Sequence, residues 1–487
     1  MALERMALAE PTRAGTTHGG RRWRPLQKRM DMAETIYAGV AEVEITPTAP
    51  GLTPTGIQRP ELHGCTDPLM GRALVLSDGL ADAGASVAFV TVDLNAVRRE
   101  VLVEPFLRAL AGRVPLEAEQ ILVTASHTHS GPDIFTAIAP DWRGDVAGRD
   151  NRPESLQARA AASRAYFAGV AERLADAVVA AWQQRVPVEP VVGIGMEREV
   201  AANSRYILTD GTAGWVNFTR DEIVGPSGPT DYQVGVLGLR RPGGEWLAVL
   251  YNFAMHALTR DGAGRQTSYS ADYPGYVAQL LRRELGAVGL FTPGACGNVH
   301  GTGFTRQQTG ERLGTEIVRV LRVVSEHPAP AGPFTPIRFR RRMLEIPYRP
   351  YTEAHLEEVH RINQRWGPAA AEHEKRFIKA LELLKRFSEQ GPAQVPVHAV
   401  ALGKEVAFVS VPVELFVEYG IEIKAKSPFR YTFVLELTND GLGYAPTRNA
   451  FRWGSYQTWV GSTLLALDAG ERMAAAGLEL LEELWQA

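Results

Sequence analysis

The sequence predicts a mixed α/β fold in which mixed β-sheets are flanked by helices. Short apolar segments recur along the chain between Gly- or Pro-containing turns, a pattern typical of buried strands. Segments with apolar residues at three- and four-residue spacing lie between them and predict amphipathic helices. Strand, helix and strand follow one another over residues 86–125, the order of a unit that builds parallel or mixed sheets.

The composition is that of an ordinary globular protein and argues against nucleic-acid-binding and membrane proteins. The chain has 487 residues, of which 45% are hydrophobic and 22% charged. Its net charge of −3 gives no reason to expect nucleic acid or an anionic membrane surface as a partner. No apolar segment approaches the roughly 20 residues that span a bilayer. Nothing in the sequence indicates a particular oligomeric state.

Cys65 and Cys296 are the only cysteines, so neither a disulfide framework nor a thiolate zinc site is expected. We therefore expect a reducing, cytoplasmic location. Any metal ion would be held by His, Glu, Asp or Tyr.

Residues 1–35 are basic, contain no apolar core of a signal peptide, and predict a disordered extension. Alternatively, translation begins at Met30 or Met32. Residues 36–487 are expected to form one domain. Within it, residues 353–390 are rich in Glu, Lys, Leu and Ala and predict an inserted helical hairpin broken at Gly367-Pro368.

The first elements follow from alternation and turn signals. Residues 37–46 alternate as a strand that stops at Pro47. Residues 74–76 and 86–93 predict two further strands, the second ending on Asp93. A helix near residues 100–111 then leads to a strand at residues 121–125. Asp93 at its strand end is either a ligand-binding carboxylate or a cap for a turn.

The strand at residues 121–125 runs into the hexapeptide HTHSGP at residues 127–132. In an extended backbone residues i and i+2 point the same way, so His127 and His129 would present two imidazoles to one side. That geometry suits one metal ion, or one metal ligand beside a proton carrier. The alternative is a pair of solvated loop histidines.

The later elements repeat this design. A long amphipathic helix is predicted over residues 154–184, after a polar loop at residues 133–152 that suits a lid or substrate wall. An apolar strand over residues 243–256 ends on His256, a helix follows to about residue 285, and a third strand runs into the glycine-rich segment 293–300. Last come a hairpin at 397–411, Glu414 at a helix start, a strand at 432–437 and a closing helix near 462–485.

Six motifs, taken together, resemble the catalytic domain of the neutral, non-lysosomal ceramidases, which are zinc-dependent amidases. The resemblance extends from about residue 39 to residue 470 and lies in the order and spacing of the motifs. They are HTHSGP at 127–132, NFAMH at 252–256, SADYPGY at 270–276, PVELF at 412–416, GY at 443–444 and YQTWVGST at 456–463.

The resemblance implies an amidase fold with one zinc ion per chain and a small-molecule amide substrate. The zinc ligands that it implies are His127, His256, Glu414 and Tyr444. His129 and Tyr456 are expected to act on the substrate without binding the metal. Arg205 is a further candidate that would anchor a substrate oxygen, although Ser204 separates it from the asparagine that it follows directly in the family.

The chemistry of this ligand set agrees with the resemblance. Two neutral imidazoles and one carboxylate form a common catalytic zinc set, which leaves coordination positions for water and a substrate oxygen. A tyrosine is an unusual zinc ligand, because only a nearby cation would favour its phenolate at neutral pH. The alternative for Tyr444 is a tyrosine buried in the core with its hydroxyl hydrogen-bonded.

The sequence departs from the family in two places. The family's Gly-Asp-Val-Ser-Pro loop, with its proposed catalytic serine, corresponds to GNVHG at residues 297–301. His300 is therefore either a substrate-binding residue or a loop histidine without a role, and Asp93 and Asp272 are further candidates for substrate binding. We also expect the family's immunoglobulin-like C-terminal domain to be missing from this protein. The expected substrate is ceramide or, equally, a soluble N-acyl amide.

Two competing functions remain open from the sequence. In one, the protein is a zinc esterase or phosphoesterase in which His127 and His129 both bind metal, with two metal ions per chain. In the other, the altered loop at residues 297–301 marks a binding protein that retains zinc for stability and does not hydrolyse a substrate.

Overall fold

The computed structural model describes residues 35–48, 52, 64–80, 85–141, 152–214, 219–259, 268–327, 332–350, 352–355, 357 and 370–487. Its strands are β1 Ile36–Glu44, β2 Met70–Ser77, β3 Ser86–Val92, β4 Ile121–Ala125, β5 Val186–Met196, β6 Ala201–Asn203, β7 Tyr206–Leu208, β8 Ala213–Gly214, β9 Ile223–Pro226, β10 Gln233–Arg240, β11 Trp246–Phe253, β12 Val288–Pro293, β13 Val299–Gly301, β14 Ile337–Ile346, β15 Ala393–Leu402, β16 Val406–Ser410, β17 Glu414–Leu415, β18 Tyr431–Leu435 and β19 Tyr444–Ala445.

The α-helices are α1 Glu104–Leu110, α2 Pro153–Gln183, α3 Tyr273–Leu285, α4 Arg306–Glu326, α5 Ala370–Ser388, α6 Val417–Lys426, α7 Arg448–Trp453 and α8 Ala469–Gln486. A π-helical turn, Arg99–Val103, precedes α1, and a short 3₁₀ helix is formed by Tyr456–Thr458. No described helix is long and apolar enough to cross a lipid bilayer.

The largest sheet has eight strands in the order β12-β11-β10-β5-β1-β2-β3-β4. The pairs β11 with β12 and β3 with β4 are parallel, whereas the other neighbours in this sheet are antiparallel. A second sheet has the order β14-β15-β16-β18, and its β16 and β18 are parallel. Short sheets pair β13 with β6, β17 with β19, and β7 with β8 and β9.

The two large sheets pack face to face. Side chains alternate along each strand, so Leu74 and Leu76 of β2 enter the space between the sheets, whereas Ala73 and Val75 belong to the core on the opposite face. The Phe89 ring of the first sheet lies 4.8 Å from the Phe408 ring of the second. This sheet-on-sheet core explains why the strands read as nearly continuous apolar segments.

Helices cover both outer faces of this pair of sheets. Helices α1 and α2 share a core with β2, β3 and β4, and α3 and α4 share another with β10, β11 and β12. Helix α8 packs on the outer face of the second sheet. The architecture therefore has four layers, helix, sheet, sheet and helix, and the predicted fold class of mixed sheets flanked by helices is confirmed.

Several local predictions fall on described residues. The hairpin turning at Gly403-Lys404 forms as β15 and β16, and the second arm of the predicted hairpin forms as α5. The first arm, residues 358–369, lies outside the described residues, as do residues 1–34 and most of the predicted lid, 142–151. Cys65 and Cys296 are both free thiols, and the cytoplasmic location stays a prediction.

The ends of strands from both sheets meet at one place. The Ala125 amide, at the end of β4, donates to the Leu437 carbonyl beyond β18, and the Glu436 amide donates to the Pro293 carbonyl at the end of β12. The Gly294 amide donates in turn to the Phe253 carbonyl at the end of β11. Ligands bind where parallel strands end, and polar side chains follow several of these strands.

Candidate metal centre and active site

His127 follows β4 by two residues and has a backbone φ of 65°, in the left-handed region. The expectation of an extended backbone through both histidines was therefore wrong, since the strand ends at Ala125 and the chain turns at His127. The buried His127 ring donates its Nδ1–H to the Asn95 carbonyl oxygen at 2.6 Å. That hydrogen bond leaves the lone pair of Nε2 available to a metal ion.

His256 follows β11 and is held in the same way. Its Nδ1 lies 2.8 Å from the Cys296 carbonyl oxygen and 3.2 Å from that of Val299, and the residue is buried. The proton on Nδ1 is thus directed at backbone carbonyls of the glycine-rich segment. Its Nε2, like that of His127, is the atom left to bind a ligand.

Glu414 supplies a carboxylate between the two rings. Its Oε2 lies 3.2 Å from His256 Nε2 and 3.4 Å from His127 Nε2. Burial raises the pKa of the Glu414 carboxyl, but the neighbouring His127 and His256 outweigh burial and hold this pKa well below its usual range. The carboxylate is ionised as a metal ligand must be.

The position of Glu414 differs from the prediction of a helix start. Glu414 lies in β17, and helix α6 begins only at Val417. The neighbouring imidazoles, rather than the helix dipole, are therefore the groups that keep the carboxylate charged.

These donor atoms fit a tetrahedral metal ion. Bonds of about 2.0–2.1 Å to zinc place tetrahedral donors about 3.3–3.4 Å from one another. The separations of 3.2 and 3.4 Å between the carboxylate oxygen and the two imidazole nitrogens match that spacing. Both imidazoles also have their second nitrogen hydrogen-bonded to a carbonyl, the usual support of a metal-bound histidine.

His129 lies at the edge of the same cluster. Its Nε2 is 3.4 Å from His127 Nε2, and one ligand atom from each of His127, His129 and His256 lies within 4.8 Å of the others. Its side chain is half-buried, whereas the other two are buried. The geometry accommodates His129 either as a third nitrogen ligand or as a proton carrier beside the metal.

Tyr444 is the cross-strand partner of Glu414 in the parallel ladder of β17 and β19. Burial raises the pKa of its hydroxyl well above the usual value, and the charge of the adjacent Glu414 carboxylate raises it further. The Tyr456 ring meets the Tyr444 ring edge-on at 5.8 Å. The structure thus brings both predicted tyrosines to the histidine and glutamate cluster.

His300, the predicted substrate residue in the altered loop, stacks on a metal-ligand candidate. Its ring centroid is 4.0 Å from that of His256, at an interplanar angle of 21°. Burial, followed by the neighbouring His256 and His127, lowers the pKa of His300 well below its usual value. The ring is therefore neutral at physiological pH.

Arg205, Asp93 and Asp272 make hydrogen bonds with the protein itself. The Arg205 guanidinium donates to the Gln457 side chain and to the carbonyls of Ala450 and Gly454, so it supports the segment that carries Tyr456. The Asp93 carboxylate pairs with Arg72 at 3.0 Å. These contacts give Arg205 and Asp93 positioning roles.

Asp272 likewise stabilises a turn. Its carboxylate accepts the Tyr273 amide at the start of α3 and the hydroxyl and amide of Thr259. Thr259 lies three positions beyond His256, so Asp272 ties α3 to the segment that follows this ligand candidate.

Glu436, which was not predicted from the sequence, is a fully buried carboxyl group that joins two segments of the site. Its Oε2 accepts the backbone amides of Cys296 at 2.9 Å and Leu415 at 3.0 Å, and its Oε1 accepts the Cys296 thiol at 2.8 Å. Burial raises the pKa of Glu436 to about 8. The signal was available, because Glu436 is a lone acid within an otherwise apolar strand segment.

Gly297 allows the glycine-rich segment to approach Glu414 closely. Its amide donates to the Leu415 carbonyl at 2.8 Å. A Cβ at this position would lie 2.5 Å from the Glu414 carbonyl oxygen, inside van der Waals contact. Only glycine fits between the two segments without moving one of them.

Known structures share this architecture. A crystal structure of neutral ceramidase from Pseudomonas aeruginosa superimposes with a TM-score of 0.65 and 17% sequence identity, over 93% of this chain and 75% of that one. A structure of a ceramidase complexed with C2 gives a TM-score of 0.65 and 16% identity over the same shares. No protein-family model and no curated protein sequence matches the chain. At this identity the likeness establishes that the chain has the ceramidase fold.

Proposed function

We propose that this ceramidase-fold protein is a zinc-dependent hydrolase of carboxamide bonds, with one zinc ion per chain. The observation that carries the proposal is the convergence of His127 Nε2, His256 Nε2 and Glu414 Oε2, with the carboxylate oxygen 3.2 and 3.4 Å from the two nitrogens. These residues come from strand ends far apart in the sequence, and their donor chemistry suits zinc.

In this proposal His127, His256 and Glu414 hold the zinc ion, with Tyr444 as a fourth ligand beside the carboxylate. Zinc bound by such a set acidifies water to a pKa of about 7 and polarises a carbonyl group. The carbonyls of Asn95 and Cys296 keep the two imidazoles in the tautomer that presents Nε2.

In this proposal His129 and Tyr456 act on the substrate and do not bind the metal. A half-buried imidazole next to the ligand cluster is positioned to pass a proton to the departing amide nitrogen. The Tyr456 hydroxyl would donate a hydrogen bond to the oxyanion of the tetrahedral intermediate. Arg205 would act indirectly, by fixing the segment at residues 450–457 on which Tyr456 lies.

The proposed substrate class is N-acyl amides, either ceramide or a soluble relative. Two structures of this fold are described as ceramidases, and one of them as complexed with C2. His300 occupies the loop in which the family has its serine, and its ring is stacked against His256. We therefore propose that His300 contacts the substrate and contributes to a different amide preference.

A second ligand set is favoured by one distance. His129 Nε2 lies 3.4 Å from His127 Nε2, a separation that also fits two donors on one ion. In that arrangement His129 is a ligand and not a proton carrier. The metal content of a His129 variant separates the two assignments.

The decisive experiment combines metal analysis with turnover of a panel of N-acyl amides, carboxylic esters and phosphoesters. The proposal predicts about one zinc per chain, with amide hydrolysis lost after chelation and restored by zinc. Two metal ions per chain with phosphoester turnover would support a zinc esterase or phosphoesterase in which His127 and His129 both bind metal. Stoichiometric zinc without turnover of any substrate would support a zinc-stabilised binding protein.

A further inference from the structure

A cavity of about 100 Å³ lies on the far side of β4 from the metal centre. Strands β14 and β15 form one wall, and α1 with the turn before it forms another. Ile121 and Val123 of β4 line the cavity, whereas His127 follows the opposite end of the same strand. The cavity is therefore distinct from the candidate active site.

His398 of β15 lines this cavity and is 2% exposed. Its Nε2 lies 3.4 Å from the Asn439 side-chain amide. The orientation of Asn439 is fixed, because its Oδ1 accepts the Val123 amide and its Nδ2 donates to the Ile121 carbonyl. The Asn439 amide nitrogen therefore donates to His398, and Nε2 of His398 is an acceptor.

The proton of the neutral His398 ring must then be on Nδ1. Burial lowers the pKa of His398 to about 3, so the ring is neutral at physiological pH. Its Nδ1 is buried and has no hydrogen-bond partner among the residues that the structure describes. A buried N–H donor without an acceptor is rare, and it indicates a missing oxygen acceptor in the cavity.

Positive charge lies beside this donor. Arg341 of β14 is the cross-strand partner of His398, so both side chains project from the same face of the sheet and line the cavity. No described carboxylate pairs with Arg341, in contrast to Arg342, which pairs with Glu479 and Glu483. Arg99 also lines the cavity, where Glu104 neutralises it.

The remaining wall is apolar. Val103 and Leu107 of the helical wall face Met343 and Pro396 of the two strands. An arginine that pairs with no described carboxylate and an imidazole N–H beside such a wall are complementary to a carboxylate that carries a short hydrocarbon chain. Inorganic anions would satisfy the charge but not the apolar surface.

We propose that this cavity is a second binding site, for a small aliphatic monocarboxylate, with Arg341 and the Nδ1–H of His398 as its anchors. The carboxylate accepts from both groups, and its hydrocarbon chain packs on Val103, Leu107 and Met343. The site does not depend on the metal centre or on the proposed amidase activity.

Titration calorimetry of the full-length protein with butyrate and hexanoate tests the proposal, with inorganic phosphate as the anion without an apolar part. Saturable binding, tighter for hexanoate, is expected. Arg341→Gln and His398→Leu should each weaken it by roughly tenfold or more, since each loses a charge-assisted or buried hydrogen bond. Arg340→Gln is the matched control, because Arg340 is adjacent on β14 and projects from the opposite face.

Equal affinity of the Arg341→Gln variant and the parent would overturn the proposal. Absence of carboxylate binding to the parent would overturn it too, and would leave a water molecule as the acceptor for His398. Binding should persist in His256→Ala, which lacks a metal ligand candidate. Loss of binding in His256→Ala alone would mean that the carboxylate binds at the metal centre. That outcome would likewise refute the second site.

Discussion

Glu414 and Tyr444 face each other in a parallel ladder of two residue pairs, and the Glu414 carboxylate, which lies between two imidazoles, raises the pKa of the Tyr444 hydroxyl. The ladder brings a candidate metal ligand and a phenol together from two separate segments of the chain. The backbone pairing thereby fixes the register of the two residues.

The Tyr444→Phe variant tests this relationship. Removing the hydroxyl deprives the metal of a ligand or Glu414 of a polar neighbour, so zinc affinity should fall by about 10- to 100-fold. Competition with a chromogenic chelator measures this affinity. Tyr419→Phe is the control, since its buried hydroxyl bonds to the Pro446 carbonyl. Unchanged zinc affinity in Tyr444→Phe would exclude Tyr444 from the metal site.

Alanine variants of the three histidines should differ in their metal content. His127→Ala and His256→Ala should lose zinc and activity together, because each removes a ligand atom 3.2–3.4 Å from Glu414 Oε2. His129→Ala should retain zinc and lose about 10²- to 10⁴-fold in kcat, the range for a lost proton carrier. Elemental analysis and amide turnover on the same samples make the distinction. Zinc loss in His129→Ala would instead identify it as a ligand.

Glu436 is expected to act through the segments that it joins. Glu436→Ala leaves the buried amides of Cys296 and Leu415 without an acceptor and should reduce zinc affinity by about tenfold or more. Glu436→Gln keeps one oxygen in the place of Oε2 and should retain most of that affinity. If the two variants behave alike, the acceptor role is refuted.

Gly297→Ala should disturb the site through sterics alone. The added methyl group would lie 2.5 Å from the Glu414 carbonyl oxygen, so one segment must shift, at a cost of about 1–3 kcal/mol in the free energy of unfolding. Gly243→Ala is the control, because nothing lies within 4 Å of a Cβ there. Denaturant unfolding and zinc content should both change in the first variant and neither in the second.

His398 should make stability depend on pH. Its pKa is about 3 in the folded protein and has the ordinary value of 6.5 in the unfolded chain, so between these values the unfolded chain binds more protons. Stability is therefore complete above pH 6.5 and declines as the pH falls, by about 3 kcal/mol at pH 4 from this group. The charge of the neighbouring Arg341 adds to the penalty of burial for charging the ring.

The His398→Gln variant removes this titration while keeping an acceptor for Asn439. Denaturant unfolding at pH 7 and pH 4 should show a smaller loss of stability in the variant than in the parent. An identical pH dependence of the two proteins would contradict the buried neutral state of His398.

The strand-end histidines and the layered α/β class could be predicted because strand alternation and turn residues are local signals. Asn439 shows where local patterns fail: it stands in an apparent loop, yet it bonds to β4 on both its donor and acceptor sides. The backbone turn at His127 and the two-residue strand of Glu414 arise from tertiary contacts. The backbone carbonyl groups of Asn95 and Cys296 that accept from the two histidines could not be predicted, because no side-chain type marks them in the sequence.

The dispersal of the metal donors has a consequence for biosynthesis. His127 and His256 leave the ribosome long before Glu414 and Tyr444, and β4 itself is bonded to residues 437 and 439. A nascent chain that has not yet emerged past β19 presents two imidazoles without their carboxylate. Hydrolytic competence should therefore arise only near the end of translation, so a truncated product would be inert rather than partially active.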